Sequence, residues 1–483
     1  MKKILISIFS ALLLGGISLP ASAQAQGPAD NEIWYTATCQ VTPKNILGTG
    51  GAGLSIVVDE STFDKSTGIG KITFSGAVIT IGESAFDGNR ELLSVTIPAS
   101  VKSIGTSAFN GCKAMTTVTF AEGSKLDAIG DKAFMSCSVL SSITIPASVK
   151  SIGTSAFNGC YDRRNNTGLD TVTFAEGSEL ESIGQQAFQG CTILSSITIP
   201  ASVTEIGENA FYSCENLATV TFAEGSKLKS IGRQAFNGCK ILSSITIPAS
   251  VTSIGINAFY NCPALESINI PASVTEIGNT AFAYCRNLKS VTVNWTAADK
   301  IVQIDSNVFS DCPEGMTLLV PFGTEDLYAA NESWSSFKDY MKPYITANQD
   351  PNNKKDYYAT FYSSSKAYKL STEDVTAYTG AVDGSVLKLK PIADGIIPAG
   401  EGVVLKLTST DDTEAKVNIL VEKSTEAGTK DTENVLTGTD TAIDSAPAGT
   451  KAFSLGESGV GFYLWTGRPI GAHKAYIPAA TQE

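Results

Sequence analysis

The residues of this chain best equipped for chemistry are its ten cysteines, nine of which recur at one spacing. Cys112, Cys137, Cys160, Cys191, Cys214, Cys239, Cys262, Cys285 and Cys312 each lie three residues after a phenylalanine. Three kinds of chemistry could use such a set. Zinc needs several ligands converging on one point, whereas the spacing gives one thiol per 23 to 31 residues, no Cys-x-x-Cys and a single histidine, His473. Disulfides suit an exported chain. Cysteines on neighbouring rungs point in parallel, however, which holds their Cβ atoms farther apart than the roughly 3.8 Å a bridge prefers. Nucleophilic catalysis needs one activated thiolate, and nothing in the pattern singles one out. The expectation is a ladder of free, slowly reacting structural thiols. His473 has no recognisable Ser or Cys partner, so no catalytic residue, cofactor or metal ligand is assigned, and the chain is not read as an enzyme.

Hydroxyls form the second pattern. Ser142/Thr144, Thr171/Thr173, Ser196/Thr198, Thr219/Thr221 and Ser244/Thr246 repeat in pairs, with Ser94/Thr96, Thr117/Thr119, Ser267/Asn269 and Ser290/Thr292 at the same positions. Threonine suits a solvent-facing strand, and duplication would copy it without any functional demand. The same lattice could equally bind a polymeric or repetitive ligand. No aromatic anchor or charge lies in the stripe, although protein hot spots favour Trp, Tyr and Arg. Those types occur instead in one insertion, 161–168, through Tyr161, Arg163 and Arg164, which makes it a candidate rim contact.

Both patterns need elements to position them. Aligning the chain on Ala-Phe puts ten phenylalanines in register, from Phe86 to Phe309, 23 or 25 residues apart except for one gap of 31 and a last one of 27. The apolar-polar alternation around Ile143 and Ile145 predicts a strand with one buried face. Pro146, without an amide hydrogen, ends it. The chain then crosses the back of a coil through Val149 and Ile152, turns at Gly153, where positive φ is expected, and buries Phe157 from a short helical turn. One coil cannot enclose that many apolar groups, so neighbours must stack on it. Two versions alternate: a short one with IPASV after the strand, and a long one with FAEGSKL or FAEGSEL.

The run Cys-x-x-Leu-x-x-Ile-x-Ile-Pro-x-x-Val-x-x-Ile-Gly-x-x-Ala-Phe resembles the BspA-like class of leucine-rich repeats, found in surface and secreted proteins of Bacteroides-type bacteria. Asn31-Glu32-Ile33-Trp34-Tyr35 looks like the N-terminal cap of such proteins. Tyr357-Tyr358-Ala359-Thr360-Phe361-Tyr362 and Ala472-His473-Lys474-Ala475-Tyr476 are similar to segments bounding their β-rich C-terminal module. The resemblance implies a repeat solenoid of about ten coils with a parallel β-sheet on its concave face, and it implies adhesion. It carries over no catalytic or metal residue.

The remaining boundaries follow from composition. A basic start, an apolar run and Ala21-Ser22-Ala23 make 1–23 a signal peptide, followed by an N-terminal cap over 24–71, repeats over 72–321 and a C-terminal cap over 322–344 in which Trp334 and Phe337 cover the open end. A linker is expected over 345–355 and an all-β, sandwich-like domain over 356–483, with the aromatics Tyr463 and Trp465 in its core. The mature chain has no apolar run long enough for a transmembrane segment. The formal charge of −13, which loses Lys2 and Lys3 on cleavage, argues against nucleic acid. An exported protein, secreted or at the cell surface with the periplasm as a further possibility, is expected to bind a host or bacterial surface protein or glycan. The alternatives are an envelope scaffold without a diffusible ligand and, more remotely, a glycan hydrolase.

Overall fold

A computed structural model describes residues 27–44, 46–48 and 58–350, and beyond them 355–364, 366–372, 374–383, 386–409, 416–424, 426–427, 430–431, 434, 436–439, 451–456, 459–464 and 474–477. The expected signal peptide lies outside them, as do Trp465 and His473. Two compact units result. The first runs through Ile268 and takes in Ser273–Leu288 and Ile304–Pro313; the second comprises Asn269–Ala272, Lys289–Gln303 and the chain from Glu314 onward.

The first unit is the solenoid that the repeat requires. Its strands Leu92–Ile97, Thr117–Phe120, Ser142–Ile145, Thr171–Phe174, Ser196–Ile199, Thr219–Phe222 and Ser244–Thr246 form one parallel ladder. The crossing at the back of each coil is itself a strand. Two-residue segments such as Ser151–Ile152 and Ser182–Ile183 pair in parallel, and with Ile46–Gly48 and Val78–Ile81 they build a second, ten-stranded sheet. Phe157 enters from successive i→i+3 turns rather than a helix, with Ala156 N–H on Gly153 O at 3.3 Å and Cys160 N–H on Phe157 O at 3.3 Å. The turn is also laddered: Ser155, Phe157 and Gly159 donate to the Gln185, Ala187 and Gln189 carbonyls of the next coil at 2.7 to 2.8 Å. A coil therefore satisfies its backbone through its neighbours on three walls.

The same dependence holds inside. The ten phenylalanines stack face to face from Phe86 to Phe309, with successive ring centroids 5.0 to 5.6 Å apart and planes within 11° of parallel. Phe109 through Phe282 are fully buried. Gly153 serves a purpose other than the expected one. It is not in the positive-φ region; a Cβ there would stand 2.7 Å from Asp131 N and Gly130 C in the preceding coil. Close approach of coils demands this glycine, and the positive φ falls two residues later, on Ser155 at 57°.

At the start, Ile69–Phe74 fits the strand register but runs antiparallel to Glu32–Ala37, which in turn pairs antiparallel with Leu92–Ile97. Val58–Asp64 completes this cap, which buries Ile33, Tyr35, Ile72 and Phe74. Parallel strands of the front sheet thus begin at Leu92 rather than at 72.

In the second unit, Ser290–Val293 and Thr317–Pro321 are parallel. Trp295, Tyr328 and Trp334 are buried against one another, with Tyr328 O–H on Trp295 O and Trp334 Nε1–H on Val302 O, both at 2.8 Å. Phe337 stays half-buried at the edge of this cluster. No linker interrupts 345–349. Met341–Gln349 is one strand, parallel to Thr317–Pro321 and antiparallel to Lys416–Lys423. Beyond it the sheets are antiparallel. Asp356–Tyr362 pairs with Gly402–Thr408, and Tyr357, Phe361, Leu405 and Ile419 form a core. A four-stranded sheet that includes Thr437–Thr439 and Lys474–Ile477 lies against those strands, giving two layers; Tyr463 falls within its strand Gly459–Leu464.

Phe188→Ala in mid-stack is expected to cost about 3–5 kcal/mol, and Phe309→Ala, at the half-exposed end, clearly less. Urea denaturation followed by circular dichroism checks this; equal losses would contradict a shared interior.

Candidate binding surface

The front sheet places the sequence-derived hydroxyls in rows. Ser142 stands opposite Thr171 and Thr144 opposite Thr173, Ser196 opposite Thr219 and Thr198 opposite Thr221, and Thr219 opposite Ser244. All of these and Thr246 are exposed, while Ile143, Val172, Ile197, Val220 and Ile245 between them are buried. The alternation follows from the pleat, which sends successive side chains to opposite faces. Thr198 and Thr221 hydroxyls lie 2.8 Å apart, so neighbouring rows are close enough to bond each other. At the ends the lattice is covered. Ser94 and Thr96 are half-buried, Ser94 bonding Thr36 of the cap at 2.7 Å, and Thr292 is buried. In the first unit the open stretch runs from Thr117 to Ser267.

The insertion is a small hairpin, Tyr161–Asp162 antiparallel to Thr167–Gly168. Asp162 organises its tip by accepting Arg164 N–H and Asn165 Nδ2–H, both at 2.9 Å, and these bonds lower its carboxyl pKa, the Arg164 amide foremost. Tyr161 O–H donates to Asn166 Oδ1 at 3.2 Å. Gly168, at φ 146°, admits no side chain, because a Cβ would lie 2.3 Å from Cys160 O. Arg163 and Arg164 point into solvent.

The cysteine column is structural. Each thiol donates to the carbonyl of the phenylalanine one coil before it, from Cys112 on Phe86 O at 3.2 Å to Cys312 on Phe282 O at 3.2 Å. The partner of every thiol in the column is thus a main-chain carbonyl. The first coil has no predecessor, and there Asn89 uses its side-chain oxygen to accept the Glu91 and Leu92 amides. All the cysteines are unbridged. Burial pushes the Cys112 and Cys262 thiols up to about 12 and raises Cys214 and Cys239 as well. One thiol departs from the pattern. Cys312 ends the column half-exposed, and the thiol of Cys285 beside it holds Cys312 down while Cys285 itself is pushed up. No cluster of three or more potential metal ligands occurs among the described residues.

Two aromatic features escaped the sequence reading. Phe120, Phe174 and Phe222, the last residues of the long-version strands, are half-exposed, whereas Ile145 and Ile199 at the same place in short coils are buried. The alternation itself was the available signal. The second feature follows the phenylalanine column: Tyr260 and Tyr284 rings lie 5.0 Å apart at 50°, with the Arg286 guanidinium 5.9 Å from the Tyr284 centroid, and the negative charge of Asp311 raises the Tyr284 phenol. Tyr284 holds φ at 61°, where five other coils carry glycine. That is a costly position for a bulky residue.

Comparison with known proteins supplies the family context. The model described as BspA type leucine rich repeat region matches in six copies, over residues 56–173, 163–289 and 222–327. Among solved structures, the pneumococcal vaccine antigen PcpA is 25% identical, with 53% of this chain and 83% of that one covered and a TM-score of 0.31. A leucine-rich repeat protein from Bacteroides ovatus is 24% identical over 53% and 69% of the two chains, TM-score 0.35. A leucine rich cell surface protein from Faecalibacterium prausnitzii is 23% identical over 60% and 98%, TM-score 0.28. No curated protein matches.

Under native conditions a maleimide is expected to modify Cys39 and Cys312, the two thiols that are not buried, and to reach the others only after unfolding. Peptide mapping reads the sites; fast native labelling of Cys191 or Cys239 would contradict the closed column.

Proposed function

We propose that this chain, which belongs to the BspA-type leucine-rich repeat family, is an exported binding protein that engages a surface protein or glycan through the front sheet of its solenoid and the rim beside it. The observation that carries the reading is the unbroken run of exposed hydroxyl pairs from Thr117/Thr119 to Ser244/Thr246, fixed in register by a ladder in which every coil immobilises the next. A preorganised surface loses little freedom on binding, so weak contacts repeated along it add up. The hairpin with Arg163 and Arg164 and the Tyr260–Tyr284–Arg286 group add the residue types that carry interface energy. Export is inferred from the 1–23 pattern. Among the described residues no helix is long and apolar enough to cross a membrane.

The test uses the full mature chain, because a cut at 344 would split the Met341–Gln349 strand. Arrays of matrix proteins, bacterial surface proteins and glycans identify binders. Thr173→Arg and Thr221→Arg, both exposed, are expected to weaken binding roughly tenfold or more, about 1.4 kcal/mol, while stability moves by no more than about 0.5 kcal/mol. A chain that binds nothing on the arrays and co-fractionates with the cell envelope would favour the scaffold instead.

A further inference from the structure

Every short coil carries a proline just after its front strand, and at that point the ladder loses a rung. From a short coil to the following long one, pairing is complete. Ser142–Ile145 matches Thr171–Phe174 over four residues, and Ala175 N–H then donates to Ile145 O at 2.9 Å. Ser196–Ile199 does the same with Thr219–Phe222, followed by Ala223 N–H on Ile199 O at 3.0 Å. From a long coil to the next short one, pairing stops early: Thr117 with Ser142, Thr171 with Ser196, and two residues from Thr219 and Val220. Pro146, Pro200 and Pro248 stand where Ala175 and Ala223 donate, and proline has no N–H to give the Phe120, Phe174 and Phe222 carbonyls.

Grooves open at these junctions. One of about 600 Å³ lies between Thr173, Phe174 and Gly177 on one side and Ser196, Thr198 and Pro200 on the other. Its counterpart of about 520 Å³ repeats the arrangement two coils on, with Phe222 and Pro248. Neither is lined by a charged residue. In the second groove the buried Ser250 hydroxyl has no partner among the described residues, although the equivalent Ser202 donates to Ser178 O at 3.0 Å. Each groove thus offers a half-exposed aromatic ring, several hydroxyls and a main-chain carbonyl that the following coil leaves without a donor. Their period is two ladder steps, about 10 Å.

We infer that these grooves are subsites for an extended neutral glycan lying across the strands, one disaccharide step to each pair of coils. The inference rests on the binding reading above and narrows its ligand class. Three features select the ligand. The lack of charge disfavours sulfated or uronic acid chains. The open carbonyls call for hydroxyl donors, which a glycan has in number and a proline-rich peptide lacks. In an extended β-1,4-linked chain of pyranoses every second sugar presents the same face, which matches a lattice that repeats every second coil; C–H faces can meet Phe174 and Phe222.

Titration calorimetry on the full chain with cello-, manno- and chito-oligosaccharides from disaccharide to hexasaccharide tests this. Affinity is expected to rise on the order of 100-fold once an oligomer spans two grooves. Pro200→Ala and Pro248→Ala restore the missing N–H and close the junctions, so both variants should stay folded by circular dichroism yet lose that gain. Phe174→Ala gives an independent check through the ring. Three results would overturn the inference: no binding to any of these neutral oligosaccharides, tighter binding to sulfated oligosaccharides or to a proline-rich peptide, or affinity unchanged in both proline variants of confirmed fold. If in those cases a protein ligand still binds and Thr221→Arg weakens it, the broader binding reading stands; if nothing binds, both fall.

Discussion

No coil of this protein can close its own interior, and that incompleteness governs the rest of the structure. A single turn exposes the two faces of its phenylalanine, the amides of its corner and the edges of both its strands. Stacking answers all three needs with one translation: rings 5.0 to 5.6 Å apart, corner amides on the next coil's carbonyls, and thiols on the previous coil's. In the coils from Gly105 to Gly278 the glycine of the Ile-Gly pair is required because this translation brings backbones too close for a Cβ. The interior therefore tolerates little variation, and variation is displaced to the surface.

What varies there is informative. The alternation of long and short coils leaves the core column undisturbed but alternates complete and interrupted strand pairing on the front sheet. Proline on one side and a longer Ala-Glu-Gly-Ser turn on the other turn a uniform sheet into one with a two-coil rhythm. The hairpin at 161–168 enters between a cysteine and its strand, which lets it project without breaking either column. Variation is thus confined to the residues that stacking leaves free, which is where a repeat protein can diversify without losing stability.

The columns were legible in the sequence because repetition displays them: register alone put Phe157 and Cys160 inside and Ser142 and Thr144 outside. Features that depend on the distance between coils were not. Gly153 was expected to serve a turn and serves a contact; the back crossing at Ile152 gave no sign of being a paired strand, since two residues carry no alternation. The ends deceived for a different reason. Ile69–Phe74 has the repeat pattern yet pairs antiparallel in the cap, and the polar residues of 345–349 finish a strand because Lys416–Lys423, far along the chain, pairs with them. Cys312 differs from its fellows only in having no coil above it. The front-sheet grooves were encoded all along, in Phe-Ala against Ile-Pro, but their meaning needed the pairing register.

Hydrogen exchange resolved along the chain tests the shared interior most directly. The account predicts strong, cooperative protection of the corner amides of Ser155, Phe157 and Gly159 and of their counterparts Gln186, Phe188 and Gly190, whose only acceptors belong to the following coil, with protection falling toward Phe86 and Phe309. Rapid, independent exchange of those central amides in the native protein would contradict it.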